Sequence, residues 1–165
     1  MRFWALVFAC LPVPGFALSC MVYGVTDAFL DAGKAEAAYV PVLGTLEFDP
    51  DLLPQVDWER QGDVPAKTLL PARFEGDALT VRGVDLPFAT DVVLEVNCAG
   101  PWCPSPQPGP VLAFLRKTSV SYVLETNACG GDLFSPPNAA QIAQVRDCLA
   151  GRDCIPLDAQ LQRDR

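Results

Sequence analysis

Apolar and polar residues form their clearest pattern near the middle of the chain. Val111–Leu115 is an unbroken apolar run, which is typical of a strand buried on both faces. After a short polar turn, alternation places Val120, Tyr122 and Leu124 on one face of a second strand, with Ser121 and Glu125 on the other. The pattern therefore predicts a hairpin that leads to Cys129 and forms the centre of the fold.

Four further segments rich in β-branched and aromatic residues predict short strands. Pro41 and Gly44 fall inside the first of them, where they would bend the strand, and Gly76 supplies a turn between the second and the third. Because bends within strands help a sheet to curl, the pattern favours a small closed or partly open barrel over a two-sheet sandwich. The four segments are Ala38–Phe48, Lys67–Phe74, Ala78–Val84 and Asp91–Cys98.

One C-terminal α-helix is predicted after the central hairpin. Asn138 has the side chain of a good N-cap, and Gln141 completes a capping box three residues later. Apolar residues then recur at helical spacing as far as Gly151, which stands where a helix C-terminus favours glycine. Near the N-terminus, Ala28–Asp31 predicts no more than a helical turn.

The first 19 residues have the three parts of an export signal. Arg2 precedes an apolar run, helix-breaking Pro and Gly residues follow, and Ala17-Leu18-Ser19 fits the small-x-small pattern that signal peptidase reads. We expect cleavage after Ser19, which makes residues 1–19 a signal peptide, residues 20–154 a single domain and residues 155–165 a polar tail. No later segment is long enough to span a bilayer, so no transmembrane segment is expected in the mature chain.

Charge and composition narrow the expected function. The chain has 20 acidic and 12 basic residues and no histidine. The acidic excess would repel phosphate backbones, so no nucleic acid partner is expected. The lack of histidine removes the commonest general base and the usual zinc ligand, and no cofactor motif is found, so neither a metal nor a cofactor is expected.

Cysteines in this order resemble a known family. Cys20 stands at the expected mature N-terminus, Phe74-Glu75-Gly76 and Cys98-Ala99-Gly100 each follow a predicted strand, and the central hairpin ends at Cys129-Gly130 before the helix. This order resembles the netrin-like domain, a family that includes the tissue inhibitors of metalloproteinases. The resemblance implies a five-stranded barrel of the oligonucleotide/oligosaccharide-binding (OB) type, so the expected fold is mainly β, a five- to six-stranded OB-like barrel with one C-terminal helix.

The resemblance also directs attention to the N-terminal segment. In the animal inhibitors, the amine and carbonyl of the N-terminal cysteine chelate the catalytic zinc of the target enzyme. Carried over to this chain, that role would fall to Cys20, with Met21 beside it. The family typically begins with Cys-x-Cys, whereas Met21 and Val22 follow Cys20 here, so a single tether to the barrel is expected.

Removal of the signal leaves six cysteines, an even number that predicts three disulfides in an exported protein. Cys98 with Cys103, and Cys148 with Cys154, are close enough in sequence for local bridges, which leaves Cys20 for Cys129. The resemblance places a tether at this same end of the hairpin. Fifteen pairings are possible, and a linkage of Cys20 to Cys98 remains an alternative.

Three groups of residues are candidates for a binding or catalytic role. Trp102 lies in a polar, proline-rich loop without an obvious burial site, which favours a contact residue. A redox role for Cys98 and Cys103 is disfavoured because reactive pairs have CxxC spacing at a helix start. Among the carboxylates Asp85, Asp91 and Glu95 are the candidates for a catalytic acid pair, although scattered charges usually only solvate a surface.

The expected function is that of an exported, disulfide-bonded and non-catalytic binding module in the periplasm or outside the cell. An inhibitor-like action is the more specific version of this expectation. Its contact residues would be Cys20, Met21 and Trp102, and its partner an unknown protein or envelope ligand. One alternative is a small envelope hydrolase with paired carboxylates. Another is an envelope lipoprotein acylated on Cys20, which would leave an odd number of cysteines.

Overall fold

A computed structural model describes residues 18–83 and 85–163. All but the last two residues of the predicted signal peptide lie outside the described residues. No helix within these ranges is both long and apolar enough to cross a membrane. The described part of the chain contains three α-helices and seven strands, with 3-10 turns at Pro50–Leu52 and Gln61–Asp63: α1 Val25–Lys34, β1 Tyr39–Phe48, β2 Lys67–Ala78, β3 Leu86–Asn97, β4 Gly109–Lys117, β5 Tyr122–Asn127, β6 Gly130–Gly131, β7 Leu133–Phe134, α2 Ala139–Leu149 and α3 Leu157–Arg163.

The five long strands close into an OB-like barrel, which confirms the predicted fold class. β1 pairs antiparallel with β2 and with β4, and β2 pairs antiparallel with β3. β5 then completes the circuit, because it runs parallel to β3 on one side and meets β4 on the other. Closure leaves none of these five strands with a fully unpaired edge. Unpaired edges are what make open sheets prone to aggregation.

β4 is the strand around which both hydrophobic cores form. Val111, Ala113 and Leu115 point into the barrel, where they pack with the inward side chains of the other strands. Leu112 and Phe114 point outward and pack against α1 and α2. The prediction that this strand is buried on both faces is confirmed, since the barrel interior covers one face and the helices cover the other.

The predicted central hairpin is present but much of its pairing is different. β4 and β5 pair only at Arg116–Val123 and Lys117–Tyr122, and β5 otherwise runs parallel to β3. Val120, which alternation placed on a face with Tyr122 and Leu124, lies in the turn and is 91% exposed. The alternation pattern could not show that the strand changes partner after two residues.

Gly76 does not form a turn, so the predicted pair of short strands around it is wrong. β2 runs unbroken from Lys67 to Ala78, and its hairpin with β3 turns between Ala78 and Leu86. Gly76 lies opposite Gly44 in the β1–β2 pair. The two glycines let the bent strands approach closely, a role that a glycine within a strand pattern also signals.

Helices cover one side of the barrel. α2 is the predicted C-terminal helix, with the predicted capping box between Asn138 and Gln141. α1 is a full helix of ten residues, where only a turn was predicted, and the Asp27 carboxylate accepts hydrogen bonds from the backbone N–H of Gly24 and of Leu157. Residues 155–165, predicted as a polar tail, include α3, whose first residue is thereby connected to α1.

Three disulfides join Cys20 to Cys129, Cys98 to Cys103, and Cys148 to Cys154, which is the pairing that the sequence predicts. The second closes the loop after β3, and the third closes the turn after α2. The first joins the N-terminal segment to the turn after β5 across 109 residues of sequence.

Candidate functional site

A pocket of about 510 Å³ lies beside the Cys20–Cys129 disulfide. Cys20 and Met21 form part of its wall from the N-terminal side, and β5 with the turn after it forms another part. The two joined cysteines have Cα atoms 5.4 Å apart. The disulfide therefore holds the N-terminal segment, residues 18–24, at the rim of the pocket.

Two carboxylates line this pocket, and the backbone fixes both. Glu125 belongs to β5, whereas Asp132 follows the glycine pair Gly130–Gly131, whose φ angles are 122° and 101°. The Asp132 N–H donates to the Glu125 carbonyl at 3.0 Å, and the Phe114 N–H donates to the Asp132 carbonyl at 2.9 Å. Positive φ favours glycine, so the glycine pair allows the chain to return and place Asp132 beside Glu125.

The pocket is strongly acidic. Burial raises the pKa of Asp132 to about 7, and the charge of Glu125 adds to the rise, while Arg116 opposes it. Within residues 18–83 and 85–163, neither Glu125 nor Asp132 has a hydrogen bond or ion pair at its side chain. Two unpaired acids at one site favour the capture of a positive charge.

Tyr23 and Tyr39 give the same pocket aromatic walls. The Tyr23 hydroxyl donates to the Asp31 carboxylate at 3.4 Å, and burial together with the charge of Asp31 raises the pKa of Tyr23. Burial, with the charge of Asp132, also raises the pKa of Tyr39. Both phenols therefore stay neutral at physiological pH, and their rings offer faces on which a cation can be stabilised.

Apolar side chains project from the N-terminal segment into solvent. Met21 is 89% exposed and Val22 is 55% exposed. A second pocket of about 430 Å³ shares Met21 and Tyr23 with the first, and Asp27 is among its other lining residues. The segment thus contributes to two concave surfaces, and the disulfide ties it to the barrel.

Trp102, the third predicted contact residue, does not line this pocket. Its backbone pairs with Ala99 through hydrogen bonds of 2.9 and 3.2 Å, inside the loop closed by Cys98–Cys103, and its side chain is half-buried. Since Asn97 pairs with Asn127 at the ends of parallel strands, this loop starts at the same end of the barrel as the Cys129 turn.

Each of the three carboxylates that were candidates for a catalytic acid pair binds a different cation. Arg146 donates two hydrogen bonds to Asp85, at 3.0 and 2.6 Å, and Arg73 donates to Asp91 at 3.2 Å. Glu95 pairs with Lys67 at 2.6 Å. These partners leave the three acids as anchors between elements rather than as a shared site.

Glu125 and Asp132 were not predicted as a pair from the sequence. The two residues are seven positions apart, and only the return of the chain through the glycine pair brings them together. The available signal was Gly130-Gly131 itself, because two adjacent glycines after a strand indicate a tight reversal that would place the next residue beside the strand.

A larger groove of about 690 Å³ crosses β1, β2 and β3 on another part of the barrel. Arg73 lines it, and this guanidinium is already paired with Glu75 and Asp91. The cation that lines the groove is therefore already neutralised, whereas the two acids beside Cys20 share a partly buried site without an ion-pair partner among the described residues. The pocket at the disulfide is for this reason the stronger candidate site.

Within the described ranges, no three His, Cys, Asp or Glu side chains lie close enough together to hold a metal ion. Comparison of the chain with protein-family models, with curated proteins and with solved structures finds no match.

Proposed function

We propose that this protein is an exported, non-catalytic binding module of the cell envelope, and that it contacts its partner through the N-terminal segment. The observation that carries the proposal is the exposure of Met21 and Val22 on a segment held by a disulfide. Exposed apolar side chains on a preordered backbone are typical of contact residues, since little conformational entropy is lost on binding.

Export is part of the same proposal. Three disulfides are typical of proteins that fold in an oxidising compartment, and the first 19 residues have the pattern of a signal peptide. The lipoprotein alternative is less well supported, because the Cys20 sulfur that would carry the lipid is bonded to Cys129. Periplasmic or extracellular localisation is therefore proposed for the mature chain.

An inhibitor-like action is the more specific form of the proposal. It draws on the resemblance to the netrin-like domain, and a single disulfide tether from the N-terminal segment to an OB-like barrel supports it. The partner would then be an envelope protein with a cleft that accepts Met21. Trp102, at the same end of the barrel, would be a second contact.

Photo-crosslinking tests which surface the partner meets. A photoreactive amino acid would replace Met21 in one variant and Val120 in a matched control, since both side chains are about nine-tenths exposed. We expect a discrete cross-linked species from envelope extract at position 21 and none at position 120. The identified partner would then be titrated against Met21→Ser and Val120→Ser, with an affinity loss of about tenfold or more expected only for the former.

Equal cross-linking at both positions, or equal affinities of the two serine variants, would contradict the proposed contact surface. A product released from a substrate by the purified protein would instead favour the hydrolase alternative. The specific observation that favours this second candidate is the pair of Glu125 and Asp132, in which one acid titrates near neutral pH beside another.

A further inference from the structure

Cys20 is itself a wall of the acidic pocket. It lines the pocket together with Glu125 and Asp132, and its bond to Cys129 prevents it from moving away. The pocket therefore contains two unpaired carboxylates and one backbone position that is fixed beside them. That position is also the residue after the expected cleavage site.

Cleavage changes the charge of the Cys20 backbone. Hydrolysis of the Ser19–Cys20 peptide bond consumes one water molecule, and the new carboxylate leaves with the signal peptide. The nitrogen of Cys20, a neutral amide before cleavage, becomes a primary amine that is largely an ammonium group at neutral pH. A positive charge thus forms at the rim of the acidic pocket.

We propose that the pocket beside the Cys20–Cys129 disulfide is the binding site for this α-ammonium group, which Glu125 and Asp132 hold after removal of the signal peptide. The proposal rests on the export included in the proposed function. Processing would thereby complete the binding surface, because the N-terminal backbone becomes anchored at both the sulfur and the nitrogen of Cys20. Met21 and Val22 would then project from a fixed starting point.

The charges around Asp132 explain why an ammonium group fits. Glu125 on β5 and Asp31 on α1 repel its negative charge, and Arg116 on β4 is the charge that opposes them. Tyr23 and Tyr39 contribute neutral hydroxyl groups and ring faces. A cation in the pocket would relieve the repulsion between the acids, lower the pKa of Asp132 and raise the pKa of the amine.

The chain's own terminus is favoured over a free ligand or a partner's basic side chain. The disulfide keeps Cys20 in the wall of the pocket, so the effective concentration of its ammonium group there would far exceed that of a separate cation. A lysine or arginine from a partner would have to displace it.

Competitive labelling of the α-amine tests the inference on the mature protein as exported. Acetic anhydride labels only the unprotonated amine, so its rate against pH, followed by mass spectrometry of the N-terminal peptide, gives the pKa of the amine. Ordinary α-amines titrate at roughly 7.7–8.0, and we expect a value at least about one unit higher in the wild type. At pH 7 that shift corresponds to about tenfold slower labelling.

Two double variants provide the comparison. Glu125→Gln with Asp132→Asn removes both pocket charges, and we expect labelling to become about tenfold faster. Glu59→Gln with Asp63→Asn removes two exposed charges in the connection between β1 and β2, and we expect no change. Intact mass of the unreduced protein and a thermal melt would check folding. If the first variant does not fold, the wild-type profile alone still decides, because the ordinary range is known.

Three results would overturn the inference: an ordinary pKa for the wild-type amine, a mature chain that begins at a residue other than Cys20, or an acyl group on the Cys20 nitrogen. The labelling experiment needs no partner. Its failure would therefore leave the contact surface defined by Met21 untouched, and a failed cross-linking experiment would leave the labelling result standing.

Discussion

Gly44 and Gly76 stand opposite each other in the pairing of β1 with β2. A Cβ atom on Gly44 would clash with the carbonyl oxygen of Glu75 and would lie 2.7 Å from the Cα of Gly76. Both contacts are with backbone, so a rotamer change cannot relieve them. Glycine is therefore required at both positions if the two strands are to lie this close together.

Replacement of Gly44 by Ala should lower the free energy of unfolding by about 1 to 3 kcal/mol, the usual cost of forced overpacking. Gly62→Ala is the matched control, because nothing lies within 4 Å of a Cβ there. Urea denaturation monitored by circular dichroism measures both. Equal stabilities of the two variants would show that the strands separate without cost.

Glu95 illustrates how a buried acid supports the barrel. Burial alone would raise the pKa of Glu95, but hydrogen bonds from Lys67 and Asn97 outweigh that effect and hold the pKa below its usual value. A folded-state pKa below the unfolded one means that the stabilisation is fully present above the unfolded pKa of roughly 4.3, and disappears as the pH falls through the folded pKa.

Glu95→Gln should therefore destabilise the protein by about 1 to 2 kcal/mol at pH 7 and by much less at pH 3, since the wild-type carboxyl is then becoming protonated. Glu47→Gln, at an exposed position in β1, serves as the control and should change stability by less than about 0.5 kcal/mol at either pH. Denaturation curves at the two pH values provide the comparison. A difference that does not depend on pH would contradict the role of the charge.

At the scale of elements, the N-terminal segment depends on one covalent connection. The Cys20–Cys129 bridge spans 109 residues of sequence, whereas the Cys98–Cys103 bridge spans five. In the chain-entropy description, a longer closed loop removes more freedom from the unfolded chain. The first bridge should consequently contribute more to stability, besides holding the N-terminal segment at the pocket.

Replacement of both Cys20 and Cys129 by Ser should cost about 5 kcal/mol, against about 2 kcal/mol for Cys98 and Cys103. Guanidinium denaturation of the two double variants measures the difference. Similar losses would indicate that residual structure in the unfolded chain, rather than loop length, sets the contribution of each bridge.

The two longer helices differ in how well the sequence predicts them. α2 was predicted because its capping box is explicit in the sequence. α1 also has apolar residues at helical spacing, namely Val25, Ala28, Phe29 and Ala32, but its N-cap is a glycine and the signal is correspondingly weak. Its stability comes from packing on β4, a contact between distant parts of the chain that local patterns do not reveal.

For the molecule as a whole, strand propensity and glycine kinks were enough to predict a barrel. They did not predict its circuit, that is, the order in which the strands pair around the barrel. The parallel pairing of β3 with β5 joins segments about 30 residues apart and leaves no local trace in the sequence. The candidate site depends on that circuit, because it places the Cys129 turn beside the N-terminal segment. Of the residues that line the pocket, Cys20 and Met21 were named as candidates from the sequence, whereas Glu125 and Asp132 were not.

The molecule presents one end as its proposed working surface. The N-terminal segment, the Cys129 turn and the start of the Trp102 loop all lie there. The acidic pocket supplies charge, and Met21 with Val22 supplies exposed apolar area. The central claim is that a partner contacts this end rather than the groove across β1, β2 and β3.

Hydrogen–deuterium exchange of the partner complex tests that claim most directly. We expect slower exchange on binding in residues 20–24 and 128–132, with little change in the peptides that contain Phe48, Arg73 and Val92 of the groove. Slower exchange confined to the groove peptides, with residues 20–24 exchanging as in the free protein, would contradict that claim.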